Sequence, residues 1–120
     1  MSERVWKPAE IRRRFEHGER DFRRLEIEDD ELSFRDAVLD GADFSHAFVV
    51  ADFSRASLRG CRFHEANVKT CLFDEADLHG ADFTGAALDA TSFRDARTTD
   101  ATFTDAHIQG QSLRPGERPS

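Results

Sequence analysis

A chain of 120 residues holds one domain around one core. Its 17 Lys and Arg face 24 Asp and Glu, and the resulting charge of -7 argues against generic nucleic-acid binding through a basic surface. No apolar run is long enough for a membrane span or a secretory leader, and two cysteines are too few for a disulfide scaffold, so the composition predicts a soluble cytoplasmic domain.

The first element is a helix over 8–17. Pro8 suits the first helical position, Glu10 the first turn, and Gly18 the stop. Ile11 and Phe15 stand four apart on one face with Trp6 just before, so residues 1–18 read as a cap laid over whatever follows. This end is basic: residues 1–25 carry eight Lys or Arg against five acids.

Residues 19–113 repeat every five positions. From Phe53 the bulky apolar residue recurs without a break through Leu58, Phe63, Val68, Phe73, Leu78, Phe83, Leu88, Phe93, Thr98, Phe103, Ile108 and Leu113. Two places before each stands a small residue, such as Ala51, Cys61, Cys71 or Ala81, until Gln111. A helix would scatter such residues, because five steps of about 100° leave neighbours about 140° apart. A straight strand would point successive pairs to opposite faces, since five is odd. The chain must therefore turn a corner once per pentad. Phe alternates with aliphatic residues, so four sides per turn stack like on like. Phe53, Phe73 and Phe93 then form one column, and Phe63, Phe83 and Phe103 the opposite one. Phe carries no hydroxyl to satisfy, which suits a dry interior.

Upstream, Phe34, Leu39, Phe44 and Val49 keep the spacing, with 47–50 one residue short. Phe22 and Ile27 fit if two extra residues fall within 28–31, giving 19 sides or nearly five turns. Gly41, Gly60, Gly80, Gly85 and Gly110 lie two after a bulky residue, where a corner needs positive φ. Residues 114–120 hold no amphipathic segment and read as a flexible tail. Either that tail folds over the last turn as a loop, or two copies meet there end to end as a homodimer.

The runs "ADFSR", "ANVKT", "ADLHG" and "ADFTG" resemble the pentapeptide-repeat family, and "EIRRRFEHGERDFRR" resembles the lead-in of some members. The likeness covers about residues 8–113 and implies an all-β fold, a right-handed quadrilateral β-helix with a short capping helix. It also raises one sharp functional expectation. Some members are quinolone-resistance proteins thought to imitate a DNA duplex and bind DNA gyrase or topoisomerase IV.

Residues 26–110 hold eighteen acids against seven bases, densest at Glu26, Glu28, Asp29, Asp30, Glu31, Asp36, Asp40 and Asp43. Such a patch could stand in for phosphates facing a basic protein. Rows of mixed sign, as at Arg55, Glu75 and Asp95, favour ordinary solvated surface. His46, His64, His79 and His107 are placed on different sides or rungs, so no metal site is expected; Cys61 and Cys71 read as inward, reduced core residues. No nucleophile elbow, phosphate loop or acid–base pair appears, so neither catalysis nor a cofactor is expected. The sequence thus predicts a non-enzymatic protein-binding or structural module, without direct nucleic-acid or membrane contact.

Overall fold

The structure is a computed structural model that describes residues 5–29 and 34–119. Strands β1 (Val5–Trp6), β2 (Glu26–Glu28) and β3 (Phe48–Val50) lie parallel in that order, and the pairing continues beyond them as single parallel bridges. Asp52 pairs with Leu72, Ser57 with Asp77, Arg62 with Asp82 and Asn67 with Ala87, always twenty residues on. Four bridges thus fall in each turn, one per five-residue side. Each side is hydrogen-bonded in both directions: Phe53 N–H donates to Leu72 O (2.7 Å), and Leu72 N–H donates to Ala51 O (3.1 Å).

The corner explains the pattern of residue types. Ala56 N–H donates to Phe53 O (2.9 Å), closing a turn in which Arg55 takes φ +60°. Glu65, Glu75, Ala90 and Asp95 adopt the same left-handed conformation, so the corner imposes it on non-glycine residues too. The next side starts with a buried small residue, because a larger side chain would collide with the interior. The Asp or Asn before the bulky residue faces outward and braces the turn. Asp52, Asn67, Asp77 and Asp82 each accept the N–H two residues on, at 2.9, 3.2, 3.1 and 2.8 Å.

Inside, the phenylalanines stack in two columns. Phe34, Phe53, Phe73 and Phe93 follow at 4.9, 5.2 and 5.3 Å between ring centroids. Phe22, Phe44, Phe63, Phe83 and Phe103 follow at 5.5, 5.2, 4.8 and 5.1 Å. The columns meet edge-on, as between Phe73 and Phe83. The thiols of Cys61 and Cys71 are buried and donate to Leu39 O (3.0 Å) and Val49 O (3.2 Å). Burial pushes both up to about 12.

The irregular sides appear as changes of offset. Before the short side the bridges run nineteen residues, as in Asp43 to Arg62 and Phe48 to Asn67. Earlier still the offset is twenty-two, and it holds through Glu28 to Val50. The two extra residues therefore follow Glu28; residues 30–33, which include Asp30 and Glu31, lie outside the described residues.

Helix α1 (Pro8–Glu16) covers the first turn with Ile11 fully buried and Phe15 and Trp6 packed partly against the core. At the other end the structure departs from the period. Leu113 should stand over Phe93, yet β4 (His107–Ile108) and β5 (Gln111–Ser112) form an antiparallel hairpin. Gln109 (φ +52°) and Gly110 (φ +80°) make a two-residue reversal with both residues left-handed, the arrangement that suits a tight hairpin. Leu113 is carried back to Asp105 and Ala106, so the coil register ends at Ile108. Arg118 then reaches Thr98 O and Oγ1, both at 2.8 Å. Phe93 and Ala96 are left only half-buried.

Candidate interaction face

One wall gathers groups that are remote in sequence. Asp21, Asp43, Arg62 and Asp82 lie on successive rungs of one row. Beside them, Arg24 N–H donates to Ser45 O (3.0 Å) and His46 N–H to His64 O (2.9 Å). The nineteen-residue offset thus brings His46 next to His64, whose rings sit 5.9 Å apart, edge to face. The two histidines therefore occupy successive rungs of one wall, which agrees with their placement on different sides or rungs.

The carboxylates of this wall are engaged. Asp21 takes both Arg23 guanidinium contacts (2.9 and 3.1 Å), and that side-chain hydrogen bond chiefly holds its pKa down to about 2. Asp43 Oδ1 accepts Ser45 N–H (2.9 Å). Asp82 Oδ1 accepts Thr84 N–H (2.8 Å) and Thr102 Oγ1–H (3.1 Å). Glu65 lies between the histidines, its oxygens 3.8 Å from His46 Nδ1 and 3.5 Å from His64 Nε2. Gly85 makes room for it, since a Cβ there would lie 2.9 Å from Glu65 Cγ. By contrast, the guanidinium groups of Arg24 and Arg62 donate to no protein group among the described residues. Both line an open cleft of about 350 Å³ together with Arg23, His46 and His64. Arg24 and His46 also border a groove of about 270 Å³ that contains Leu25 and Phe48.

The sequence-predicted acidic residues do not converge. Asp36 binds Arg55 through two contacts (2.9 and 3.2 Å), and this hydrogen bonding lowers its pKa. Arg55 thus pairs with the rung before it, while Glu75 and Asp95 lie on the rungs after. Asp40 accepts Ser57 Oγ–H (2.7 Å) and Arg59 N–H (3.0 Å). Asp29 accepts Phe34 N–H (3.3 Å). Asp36, Asp40 and Asp43 belong to the successive pentads of Phe34, Leu39 and Phe44, so they occupy three successive sides. Glu26 and Glu28 lie on β2, Glu28 exposed. Among the described residues no group of three or more His, Cys, Asp or Glu is placed to hold a metal ion, and no helix is long and apolar enough to cross a membrane.

The pentapeptide-repeat family model matches residues 51–88 in eight copies, the same stretch in which the coil turns every twenty residues. Residues 51–88 are pentapeptide repeats. Among solved structures it is similar to a pentapeptide repeat protein from Nostoc Pcc 7120, with 24% identity over 98% of this chain and 93% of that one and a TM-score of 0.52. A pentapeptide repeat protein from the cyanobacterium Cyanothece 51142 gives 17% identity over 68% of this chain and 58% of that one, with a TM-score of 0.43. HetL, a pentapeptide repeat protein involved in heterocyst differentiation regulation in Nostoc sp. strain PCC 7120, gives 20% identity over 78% and 62%, with a TM-score of 0.33. No curated protein matches the chain.

Pentapeptide-repeat proteins fold as β-helix solenoids and are generally structural, non-enzymatic proteins. Within that fold an Asp before the bulky residue closes a turn. Part of this protein's acidity therefore follows from its architecture. No local motif in the sequence marks Arg62 or Phe48 or joins them to Arg24 of the basic N-terminal end; the offsets of twenty-two and nineteen alone bring them together.

Proposed function

We propose that this protein is a non-enzymatic pentapeptide-repeat module that binds another protein through the wall carrying Phe48. The supporting observation is the exposure of that ring. Among the described residues the exposed large hydrophobics are Phe48, at 48%, and Val38. Phe48 occupies an outward row shared with Val5, Glu26, Asn67, Ala87 and His107. It borders a groove with Leu25, and an aromatic anchor beside a polar rim is the usual anatomy of a protein interface. In this reading the solenoid is a right-handed, four-sided coil of nearly five turns that works in the cytoplasm and needs no cofactor. The test is capture by the full chain and by Phe48→Asp, both shown to unfold at the same midpoint. The reading expects a protein retained by the former and lost by the latter. Equal retention of every captured protein overturns it.

Duplex mimicry toward DNA gyrase or topoisomerase IV is the weaker reading. Asp36, Asp40 and Asp43 lie on successive sides and are engaged by Arg55, Ser57 and Ser45 respectively. A supercoiling assay discriminates the two: inhibition or protection at micromolar protein supports mimicry, and no effect removes it. End-to-end homodimerisation through the last turn is compatible with either reading.

A further inference from the structure

We propose that the cleft between Arg24 and Arg62 is a receptor for a phosphate monoester carried on the partner segment whose apolar side chain packs on Phe48. This deepens the protein-binding reading above and rests on it.

The cleft is lined by three arginines against two aspartates, an excess of positive charge in an acidic chain that suits an anion. The carboxylates along it serve the fold: Asp43 and Asp82 brace turns, and Asp21 holds Arg23. Among the described residues the two remaining guanidinium groups have no protein partner, although the chain as a whole is acidic. Two guanidinium groups lining one opening suit a phosphate dianion, which has three oxygens to accept from both, whereas a single carboxylate is satisfied by one fork. His46 and His64 line the same opening, with the Glu65 carboxylate between them.

The neighbouring groove favours a protein source for that phosphate. Arg24 and His46 belong to both openings, so a group bound at the arginines lies beside Leu25 and Phe48 without a break. A phosphorylated side chain followed by an apolar one spans such a pair of sites. Recognition by arginines plus an apolar pocket is a recurrent mode for phosphorylated segments.

The test uses the full chain, labelled with nitrogen-15, and follows the amides of 24, 46, 62 and 64. The probes are a pool of phosphoserine peptides with randomised flanks, the same pool unphosphorylated, and inorganic phosphate. The phosphorylated pool should move these amides at concentrations where the unphosphorylated pool does not. Arg24→Ala and Arg62→Ala should each weaken that response by about tenfold or more, with the remaining spectrum unchanged. Phe48→Ala should weaken binding of the peptide pool but leave inorganic phosphate unaffected. Equal response to both pools, or undiminished binding by Arg62→Ala, overturns the proposal while leaving the Phe48 capture test standing. Binding of inorganic phosphate without the phosphorylated pool overturns the protein source and assigns the cleft to small phosphate esters.

Discussion

Phe63 lies 4.8 Å from Phe83, with ring planes 6° apart, although twenty residues separate them in the chain. Phe83 continues to Phe103 at 5.1 Å and meets Phe73 and Phe93 edge-on, both at 5.5 Å. Its ring is therefore surrounded by four others and is fully buried. Phe83→Ala should lower unfolding stability by ~3–5 kcal/mol, because a column with neighbours above and below cannot collapse into the gap. Phe93→Ala should cost less, since Phe93 is half-buried with no ring above it. Urea unfolding of both variants checks the order. A Phe83 variant no weaker than the Phe93 variant would contradict the stacked interior.

The corners carry strain that one substitution can relieve. Ala90 is exposed and sits at φ +59°, a conformation unfavourable for any residue with a Cβ. Ala90→Gly should stabilise the protein by about 0.5–1 kcal/mol, after the larger unfolded-state entropy of glycine is subtracted. Gly85→Ala runs the opposite way. It introduces the same strain at φ +71° and pushes its Cβ against Glu65 Cγ. Gly80→Ala has the strain but no atom within 4 Å, so the difference between the two glycine variants reads the crowding alone.

How far the sequence carried is visible in particular residues. The Phe columns follow from period and alternation, because a five-residue spacing leaves the backbone one way to keep its apolar residues inside. Even the short side at 47–50 was legible, and it appears as a nineteen-residue offset. The end of the coil was not. Leu113 keeps the period, but Gln109 and Gly110 both adopt positive φ and reverse the chain first. A local turn preference overrode the repeat. The Arg24–Arg62 cleft was hidden for a different reason: it depends on summed irregular offsets, which no local window contains.

Acid should act on the turn carboxylates. Burial by itself raises the Asp82 carboxyl, but hydrogen bonds from Thr84 and Thr102, with the nearby His64, outweigh it and leave the pKa below the ordinary value. The unfolded chain then binds the proton more readily than the folded one. These bonds therefore stabilise fully above the unfolded pKa of about 4, and the contribution is lost as pH falls through the lower folded pKa. Asp82→Asn keeps an acceptor oxygen but cannot titrate. The stability gap between the native protein and this variant should narrow from pH 7 to pH 3 in chemical denaturation. A gap constant over that range would contradict the assigned bonds.

Thiol chemistry reports on the same interior. Cys61 and Cys71 are fully buried, donate to backbone carbonyls, and are pushed up to about 12 by burial. Alkylating or disulfide-forming reagents act on the thiolate, so the folded protein should stay unlabelled at neutral pH and take up two labels in denaturant. Rapid labelling of either cysteine under native conditions would place it outside the core.

The last turn offers a way to test self-association. The amides of Phe93 and Asp95 donate to no backbone carbonyl among the described residues, while the equivalent amides of Phe73 and Glu75 pair with Ser92 and Arg94. The hairpin and Arg118 cover the neighbouring sides, leaving Phe93 and Ala96 half-buried beside this open edge. A second copy meeting it head-on would pair those amides and bury both Phe93 rings, since a two-fold contact applies the same patch twice. On that proposal light scattering gives a dimer for the native chain and a monomer for Phe93→Arg, with little change in urea midpoint extrapolated to low protein concentration. A native chain that remains monomeric throughout the accessible concentration range removes the dimer. The hairpin, Arg118 and water are then sufficient to close the end of the coil.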